Sequence, residues 1–225
     1  TREDLKMNRS LMMAVLDPIK LVIDNYPEGQ VEYLDAANNL ENEELGSRKI
    51  PFCRELYIER DDFMEEPPKK YFRLFPGNEV RLMHAYFVKC ESFVKDENGK
   101  VVEVHCTYDP ETKAGSGFTG RKVKGTIHWV PAPYAVDAEV RLYENLIDEE
   151  KGVYNEDGSM NINPDSLTVT QAKVEPALAG AEAYESFQFV RNGFFCVDAK
   201  DSRPDALVFN RIVSLKSSFK LPKQN

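Results

Sequence analysis

The sequence predicts a mainly β protein built as two β-barrels, with one short helix at the N terminus. Short segments rich in β-branched and aromatic residues recur at regular intervals, and Gly, Asn and Pro turns separate them. The chain has 225 residues, which is long for one β-domain and comfortable for two. Hydrophobic residues make up 42% of it, which is enough to fill a core in each domain.

The first residues, 1–13, predict the end of a helix. Thr1 and Asp4 have the spacing of a capping box, in which side chains satisfy the free N–H groups of a first helical turn. Leu5 and Leu11 are compatible with one apolar helix face. After this segment the spacing of the hydrophobic residues becomes that of an extended strand.

The first barrel is predicted over residues 14–134. Residues 14–23 are rich in β-formers but contain Pro18, which predicts either an edge strand or two short strands. The clearest hairpin has Asn98-Gly99 in its turn, where a tight connection needs positive φ values. Further strands are predicted at residues 54–60, 79–94, 101–108 and 122–130, with a possible helical turn at residues 61–66.

The second barrel is predicted over residues 135–225, with some of its strands returning to the first barrel. An acidic, turn-rich stretch at residues 148–163 is typical of an insertion or linker. Strands are predicted at residues 135–147, 166–173 and 207–215, and a hairpin at residues 187–198 turns at Asn192-Gly193.

Composition and charge disfavour several classes of protein. No apolar run approaches the roughly 20 residues that span a bilayer, so no membrane partner is expected. The net charge of −9 disfavours indiscriminate coating of nucleic acid, but residues 69–128 carry 11 Lys and Arg against 7 Asp and Glu. A locally basic stretch suits selective contact with a polyanion, and an ordinary mixed-charge surface explains it equally well. The four cysteines are widely spaced and predict buried, reduced thiols in a cytoplasmic protein.

Residue types that carry catalysis do not occur at the spacings that an active site needs. Glycines at positions 115, 117 and 120 match a dinucleotide-binding spacing, but they precede a strand rather than a helix and so predict a hairpin connection. His84, His105 and His128 are not at metal-ligand spacing, and structural roles are expected for them. We therefore expect no catalytic residue, metal or cofactor within this chain.

Polar side chains interleaved with aromatic ones form the most distinctive pattern. It occurs at residues 69–75, 81–86 and 187–191. Proteins read single-stranded RNA by stacking its bases on planar side chains and by hydrogen-bonding the base edges with Arg, Lys, Gln or Asn. The same alternation also describes ordinary barrel strands, in which Phe and Leu fill the core. From the pattern alone, both interpretations stay open.

Eight motifs in these and neighbouring segments follow one another in the order of a known family. They are MAVLDPIKLVIDN (residues 13–25), GSRKIPF (46–52), LYIERDDF (56–63), EVRL (79–82), CTYD (106–109), GRKVKGTIHW (120–129), VRLY (140–143) and FQFVRNGFF (187–195). In these motifs, which extend over nearly the whole chain, the sequence resembles the C-terminal, anticodon-binding region of bacterial-type glutaminyl-tRNA synthetases, a class I aminoacyl-tRNA synthetase family.

The resemblance implies that the two barrels are the Greek-key-like proximal and distal anticodon-binding barrels of that family. It also implies that residues 1–13 are the end of the helical subdomain that connects the barrels to a catalytic domain. The expected partner is the anticodon arm of tRNA(Gln). An upstream class I catalytic domain in the same polypeptide would attach glutamine to the tRNA with ATP and Mg. That domain is outside this sequence, so the chain alone is expected to be inactive and to need no cofactor. The first residue is not Met, which agrees with a fragment of a longer protein, expected to be a cytoplasmic monomer.

The resemblance also carries candidate anticodon contacts onto individual positions of this sequence. They are Lys70, Arg73, Arg81 and Leu82 in the first barrel, Gln188 and Arg191 in the second, and Arg9 and Asn39 (or its neighbour Asn38) nearer the N terminus. Some positions depart from the family pattern, since Leu11 and Met83 stand where Arg is familiar and Phe72 stands where Lys is familiar. Lys70 stands where Gln is familiar, but it can still serve a phosphate or a base acceptor. The departures at Met83 and Phe72 bear on discrimination at the first anticodon base, where a glutamine system accepts both C and U.

Two other interpretations stand beside this one. Archaeal and eukaryotic glutamyl-tRNA synthetases share the architecture, so the chain could be the anticodon-binding half of such an enzyme. A stand-alone β-barrel interaction module that binds no RNA is the second alternative. Salt dependence separates the RNA-binding interpretations from the last one, because phosphate contacts weaken steeply as salt rises.

Overall fold

The computed structural model describes residues 2–143, 155–158 and 167–213. Within them, one helix, α1 (Arg2–Asn8), precedes sixteen strands. The strands are β1 (Ser10–Met12), β2 (Ala14–Val15), β3 (Pro18–Ile23), β4 (Glu32–Ala37), β5 (Ser47–Phe52), β6 (Glu55–Glu59), β7 (Glu79–Leu82), β8 (Phe87–Lys95), β9 (Val101–Tyr108), β10 (Thr126–Ile127), β11 (Val130–Pro131), β12 (Val136–Tyr143), β13 (Leu167–Val174), β14 (Ser186–Phe189), β15 (Gly193–Val197) and β16 (Leu207–Val213). Short 3-10 turns occur at Glu43–Leu45, Arg60–Asp62, Pro110–Thr112 and Pro176–Gly180.

The chain divides into two compact units, each made of more than one chain segment. The terminal unit comprises Thr1–Leu16, Ala37–Arg48 and Val136–Asn225, and the central unit comprises Asp17–Ala36 and Lys49–Ala135. Each unit has a seven-stranded sheet, and β4 and β5 form a separate two-stranded sheet. The sequence predicted late strands returning to the first barrel, whereas in the described residues the early strands β1 and β2 join the sheet of β12–β16.

The sheet of the terminal unit has the order β1-β14-β15-β16-β12-β13-β2. β1 runs parallel to β14 and β12 runs parallel to β16. Met12 and Ala14 pack in one core with Phe189, Phe195 and Phe209. The Phe189 and Phe195 rings stack with their centroids 4.5 Å apart. Burial of apolar surface stabilises by about 25 cal/mol per Å², so this core holds the N-terminal strands in the sheet.

The sheet of the central unit has the order β10-β7-β8-β9-β3-β6-β11 and encloses an aromatic core. The Phe52 ring contacts those of Tyr26, Tyr86 and Trp129. Tyr26 and Tyr86 are buried, yet both donate a hydroxyl hydrogen bond to the Glu32 carboxylate, at 3.0 and 2.6 Å. Burial raises the pKa of Tyr26 to about 12, so this hydroxyl stays protonated and remains a donor.

The predicted fold class is confirmed, because the protein is mainly β with two near-barrel sheets and one short N-terminal helix. The helix ends at Asn8, however, and does not continue to residue 13. The Asn8 side chain donates to the Asp4 carbonyl at 2.9 Å within the last turn. Ser10–Met12 is a strand because β14 supplies a hydrogen-bonding edge and the core accepts Met12.

The prediction of one strand over residues 79–94 is wrong. The chain reverses between β7 and β8, where the Leu82 N–H donates to the Tyr86 carbonyl and the Ala85 N–H donates to the Leu82 carbonyl, both at 2.9 Å. His84 has a φ of +65° in this turn. Turns usually carry Gly, Asn, Asp or Pro, and the absence of these residues at positions 83–86 hid the reversal.

Most of the remaining predicted strands are present. β2 and β3 are the two short strands predicted around Pro18, which begins β3, where its missing N–H is tolerated. The two predicted hairpins form as β8–β9 and β14–β15. Residues 122–125 are not in a strand, and the segment contributes only β10 and the first residue of β11. All four cysteines are buried and free, as predicted. Of the predicted linker at residues 148–163, only residues 155–158 are described. The predicted strand positions 144–147, 166, 214 and 215 also lie outside the described residues.

Candidate nucleic-acid interface

Lys70 and Arg73 lie on the loop between the 3-10 turn at Arg60–Asp62 and β7. Lys70 is exposed and has a φ of +62°, a backbone region that few residues other than glycine occupy. The Arg73 side chain is 40% exposed, and its Nη1 lies 3.4 Å from the carboxylate of the buried Asp62. The same atom donates to the Asp61 carbonyl at 3.4 Å. The buried carboxylate anchors one side of the guanidinium while the loop keeps the group at the surface.

Gly125 brings this loop next to β7. A Cβ at Gly125 would lie 1.7 Å from the Phe72 carbonyl oxygen, so the two main chains approach as closely as only glycine allows. The Gly125 carbonyl in turn accepts a hydrogen bond from the Arg81 N–H at 2.8 Å. Asn78 fixes the loop from its other end by donating to the Arg73 carbonyl at 2.7 Å. The structure therefore places the 70–73 loop and strand β7 on either side of one glycine.

The end of β7 carries the candidates Arg81 and Leu82. The Arg81 guanidinium carbon lies 4.6 Å from the centroid of the Phe87 ring, a cation–π distance. Leu82 has no exposed surface, and its N–H and carbonyl both bond within the turn. Met83 is partly exposed, and its carbonyl accepts from the Trp129 indole N–H at 2.7 Å. Of these two candidates, Arg81 is therefore the one whose side chain is charged and only partly buried.

Arg121 is a neighbouring cation that sequence reasoning did not single out. Its guanidinium carbon lies 5.3 Å from the Phe87 ring centroid, so Arg81 and Arg121 share one aromatic ring. Arg121 also donates two hydrogen bonds to the Glu79 carboxylate, at 2.7 and 2.6 Å, and pairs with Asp109 at 2.9 Å. The basic run at residues 121–124 was a signal for it, but only the fold shows that this run lies against β7 and β8.

In the terminal unit, Gln188 and Arg191 lie on and beside β14. Gln188 is partly buried and is in register with Leu11 of β1 and with Phe194 of β15. Arg191 is in the turn of the β14–β15 hairpin, is partly buried and has a φ of +61°. Lys70 and Arg191 thus have left-handed backbone conformations, as do His84 and Tyr184, and neighbouring structure must enforce such conformations.

Asn39 has an internal role in the terminal unit. Its amide nitrogen donates to the Lys6 carbonyl at 2.7 Å and to the Arg9 carbonyl at 2.9 Å, which caps the end of α1. Its amide oxygen accepts from the Glu41 and Asn42 N–H groups at 2.9 and 3.0 Å. Asn39 is 6% exposed, and these four bonds use the full capacity of its amide. The candidate Arg9 is partly buried and donates to the Asn8 carbonyl at 3.3 Å.

A buried ion pair holds β1 in place, and sequence reasoning missed it. The Glu175 side chain is fully buried and accepts from Arg48 Nε at 2.5 Å, from Arg48 Nη2 at 2.8 Å and from the Met13 N–H at 2.7 Å. Arg48 also donates to the Leu11 carbonyl and to the Asn38 side chain, both at 3.0 Å. Three chain segments meet at this pair, which fixes the strand that lies beside Gln188. Residues 48 and 175 are far apart in sequence, so no local pattern indicates their contact.

The described residues contain no group of three or more His, Cys, Asp or Glu side chains that could hold a metal ion. His105 lies between Asp24 and Glu103, at 2.8 and 2.6 Å, and the buried His128 lies 3.3 Å from Glu59. A cavity of about 500 Å³ in the central unit is lined by residues that include Arg54 and Tyr134 but by none of the candidates. In the described part of the chain, no helix is long and apolar enough to cross a membrane.

Comparison with known proteins identifies the family. Residues 11–109 and residues 126–198 each match an anticodon-binding domain of the class I tRNA synthetases for E and Q. The chain belongs to this family. The two matched regions contain the 70–73 loop, the β7–β8 turn and the β14–β15 hairpin, so the surfaces described above lie within anticodon-binding domains.

Curated relatives carry the name glutamine–tRNA ligase. The chain is 58% identical to that of Clostridium perfringens over 224 residues, which is 98% of this chain and 40% of the relative. It is 58% identical to that of Clostridioides difficile over 223 residues, and 50% identical to that of Aliivibrio salmonicida over 218 residues. These alignments cover 97% of this chain and 40% of each relative. The chain thus spans well under half the length of the relatives it matches and resembles their anticodon-binding, C-terminal region.

Proposed function

We propose that this chain recognises the anticodon loop of tRNA(Gln) as part of a longer glutamine–tRNA ligase. The observation that carries the proposal is the 58% identity to glutamine–tRNA ligases over 98% of the chain, together with matches to two anticodon-binding domains. A class I catalytic domain upstream in the same polypeptide would attach glutamine to the tRNA, with ATP and Mg bound there. The chain alone would bind tRNA without aminoacylating it. Such an enzyme works in the cytoplasm, and we propose that it does so as a monomer.

The geometry supports distinct roles for the candidate residues. Arg73 and Arg81 present guanidinium groups from elements that Gly125 holds side by side, and guanidinium groups suit both base edges and phosphates. Lys70 is an exposed point charge on the same loop and suits a phosphate. Gln188 and Arg191, three residues apart around β14, would read a base from the terminal unit. Asn39 and Leu82 would support neighbouring segments, because the amide of Asn39 is fully engaged and the side chain of Leu82 is buried.

Binding measurements with matched tRNAs test the proposal. The 225-residue chain is titrated by filter binding against tRNA(Gln) with a CUG or UUG anticodon, and against the same tRNA body with an unrelated anticodon. We expect both glutamine anticodons to bind at least about tenfold more tightly than the unrelated one, since each good base contact contributes about 1–3 kcal/mol. Affinity should also fall steeply with salt. Equal affinity for all anticodons would contradict the proposal, and a salt-insensitive complex with a protein would favour the stand-alone module.

Single substitutions separate base reading from phosphate contact. Arg73→Ala and Arg191→Ala should each cost about 1–3 kcal/mol of binding to the glutamine anticodons if the arginine bonds a base edge. A loss that is equal for every anticodon would assign that arginine to a phosphate instead. Lys100→Ala, an exposed lysine at the β8–β9 turn of the central unit, is the control and should leave binding nearly unchanged. Exchanging the third anticodon base between G and C then separates glutamine from glutamate specificity, since the matched family includes both.

A further inference from the structure

Phe72 is a large aromatic side chain that the fold leaves at the surface. It is 47% exposed, although phenylalanine is among the residues most often buried. The Lys124 ammonium nitrogen lies 5.3 Å from the centroid of its ring. Lys124 is itself exposed, and Arg73 follows Phe72 in the chain. An exposed ring among cations is the combination with which proteins bind unpaired nucleic-acid bases.

The main chain of Phe72 is fixed, although its ring is exposed. The close approach of its carbonyl to Gly125 leaves no space between the two backbones. The Gly125 carbonyl also accepts a hydrogen bond from the Arg81 N–H. Lys124 precedes Gly125, so the same contact sets where both side chains leave the main chain. A side chain presented by a fixed backbone loses little further freedom when it binds a ligand.

Other exposed aromatic side chains of the central unit differ from Phe72 in their surroundings. Tyr33 is 62% exposed on β4, and Tyr134 is 42% exposed and borders the cavity beside Arg54. Neither lies on the loop that carries Lys70 and Arg73. Phe72 therefore combines exposure, a cation at ring distance and direct sequence neighbours that are candidates for RNA contact.

We propose that the Phe72 ring is a stacking platform for an unpaired base of the anticodon loop and that Lys124 binds the adjoining phosphate. This inference rests on the proposed function. It gives a stacking role to Phe72, a position where the sequence departs from the family pattern, and a phosphate-binding role to Lys124. Every base has a π face, so stacking on a ring holds a base without selecting its identity. A base-tolerant contact at this position suits a protein that accepts more than one anticodon.

Substitutions at Phe72 test the platform through affinity and through the state of the base. The 225-residue chain is titrated with tRNA(Gln) anticodon stem-loops in which 2-aminopurine replaces each unpaired loop base in turn. Phe72→Ala and Phe72→Leu should weaken binding about 5- to 100-fold, because one base–aromatic stack is lost. Phe72→Trp should bind as the wild type does. At one loop position the wild-type chain should change the 2-aminopurine fluorescence, and the Ala and Leu variants should not.

Controls make each outcome informative. Tyr33→Ala, which removes another exposed ring of the same unit, should leave affinity unchanged. Lys124→Ala should weaken binding and lower the slope of log affinity against log salt by about one. If Phe72→Ala and Phe72→Leu bind as tightly as a wild type that still prefers glutamine anticodons, the platform is overturned and the proposed function stands. If the wild type has no anticodon preference, the proposed function fails and the platform fails with it. Phe72→Leu keeps an apolar side chain at this position. Thermal denaturation of this variant and of the wild type checks that the substitution leaves the fold intact.

Discussion

The two units hold their candidate RNA-contacting residues by different physical means. In the terminal unit, the buried pair of Arg48 and Glu175 and the saturated amide of Asn39 tie separate chain segments together. In the central unit, main-chain packing against Gly125 holds the loop of Arg73 next to β7. Losing one partner of a buried ion pair is severely destabilising, whereas a crowded main-chain contact shifts at moderate cost. RNA binding and stability should therefore be coupled in the terminal unit and more separable in the central unit.

Breaking the buried ion pair should have the largest effect. Glu175→Gln removes the negative charge that neutralises Arg48, whose side chain is only 11% exposed. We expect the free energy of unfolding in urea to fall by about 3–5 kcal/mol. Glu41→Gln is the control, because its pair with Lys6 is about half exposed and should contribute less than about 1 kcal/mol. The double variant Arg48→Met/Glu175→Leu should recover much of the loss. Equal effects of the two Glu→Gln substitutions would show that the buried pair stabilises the terminal unit no more than an exposed one does.

Gly125→Ala should weaken the central unit by a smaller amount while reducing tRNA binding. The new Cβ would lie 1.7 Å from the Phe72 carbonyl oxygen, so the 70–73 loop must move away. Overpacking of this kind costs about 1–3 kcal/mol, and the displaced loop should also lower affinity for tRNA(Gln). Gly180→Ala is a matched control because nothing lies within 4 Å of its Cβ position. Unchanged tRNA affinity in a folded Gly125→Ala variant would show that loop position does not control binding.

Substitutions at Asn39 test how much its fully engaged amide contributes to the stability of the terminal unit. Asn39→Ala removes four hydrogen bonds around the end of α1 and should cost about 1–2 kcal/mol in urea denaturation. Asn39→Asp keeps the two acceptor contacts but places a carboxylate against the carbonyls of Lys6 and Arg9. It should therefore fail to restore stability, especially near a helix C terminus, where negative charge is unfavourable. Full stability of Asn39→Asp would mean that the helix cap contributes nothing.

The smallest predicted effect is a pH dependence at His105 in the central unit. The hydrogen bond to Asp24, and then that to Glu103, raises the pKa of His105 above its ordinary value of about 6.5. Its protonated form is stabilised by folding, so this contribution is fully present below about pH 6.5 and is lost as the pH rises through the raised pKa. Replacing His105 by Gln should cost about 0.5–1 kcal/mol at pH 6 and less at pH 9. Asp24→Asn should remove most of this difference, and a cost that does not change with pH would contradict the assignment.

Local patterns in the sequence predicted the strands and hairpins of both units well. Alternation over residues 54–60 and the Asn-Gly pairs at 98–99 and 192–193 depend only on neighbours, and β6, β8–β9 and β14–β15 are present. The turn after Leu82 was missed because none of its residues is a usual turn former. Strand β1 was predicted as helix because its partner, β14, lies far away in the sequence.

The sequence predicted the candidate site to about the same extent as it predicted the fold. Motif resemblance proposed Lys70, Arg73, Arg81 and Arg191, and the structure places Lys70, Arg73 and Arg191 in loops or turns and Arg81 in strand β7. Their supports could not be predicted, because Gly125, Arg48 and Glu175 act through contacts between distant segments. The sequence around a glycine does not show which main-chain carbonyl will lie against that glycine in the fold. Likewise, a buried ion pair leaves no periodic signal in either of its segments.

The discontinuous terminal unit has a consequence for the order of events during synthesis. Met13 and Glu175 are 162 residues apart, so the N-terminal strands wait for their partners until most of the chain has been made. At about 5–20 residues per second, this wait is roughly 10–30 s. Meanwhile all residues of the central unit have emerged and can fold, whereas β1 and β2 expose an unpaired edge. The earliest part of this sequence to leave the ribosome is thus among the last to pair with its partner strands.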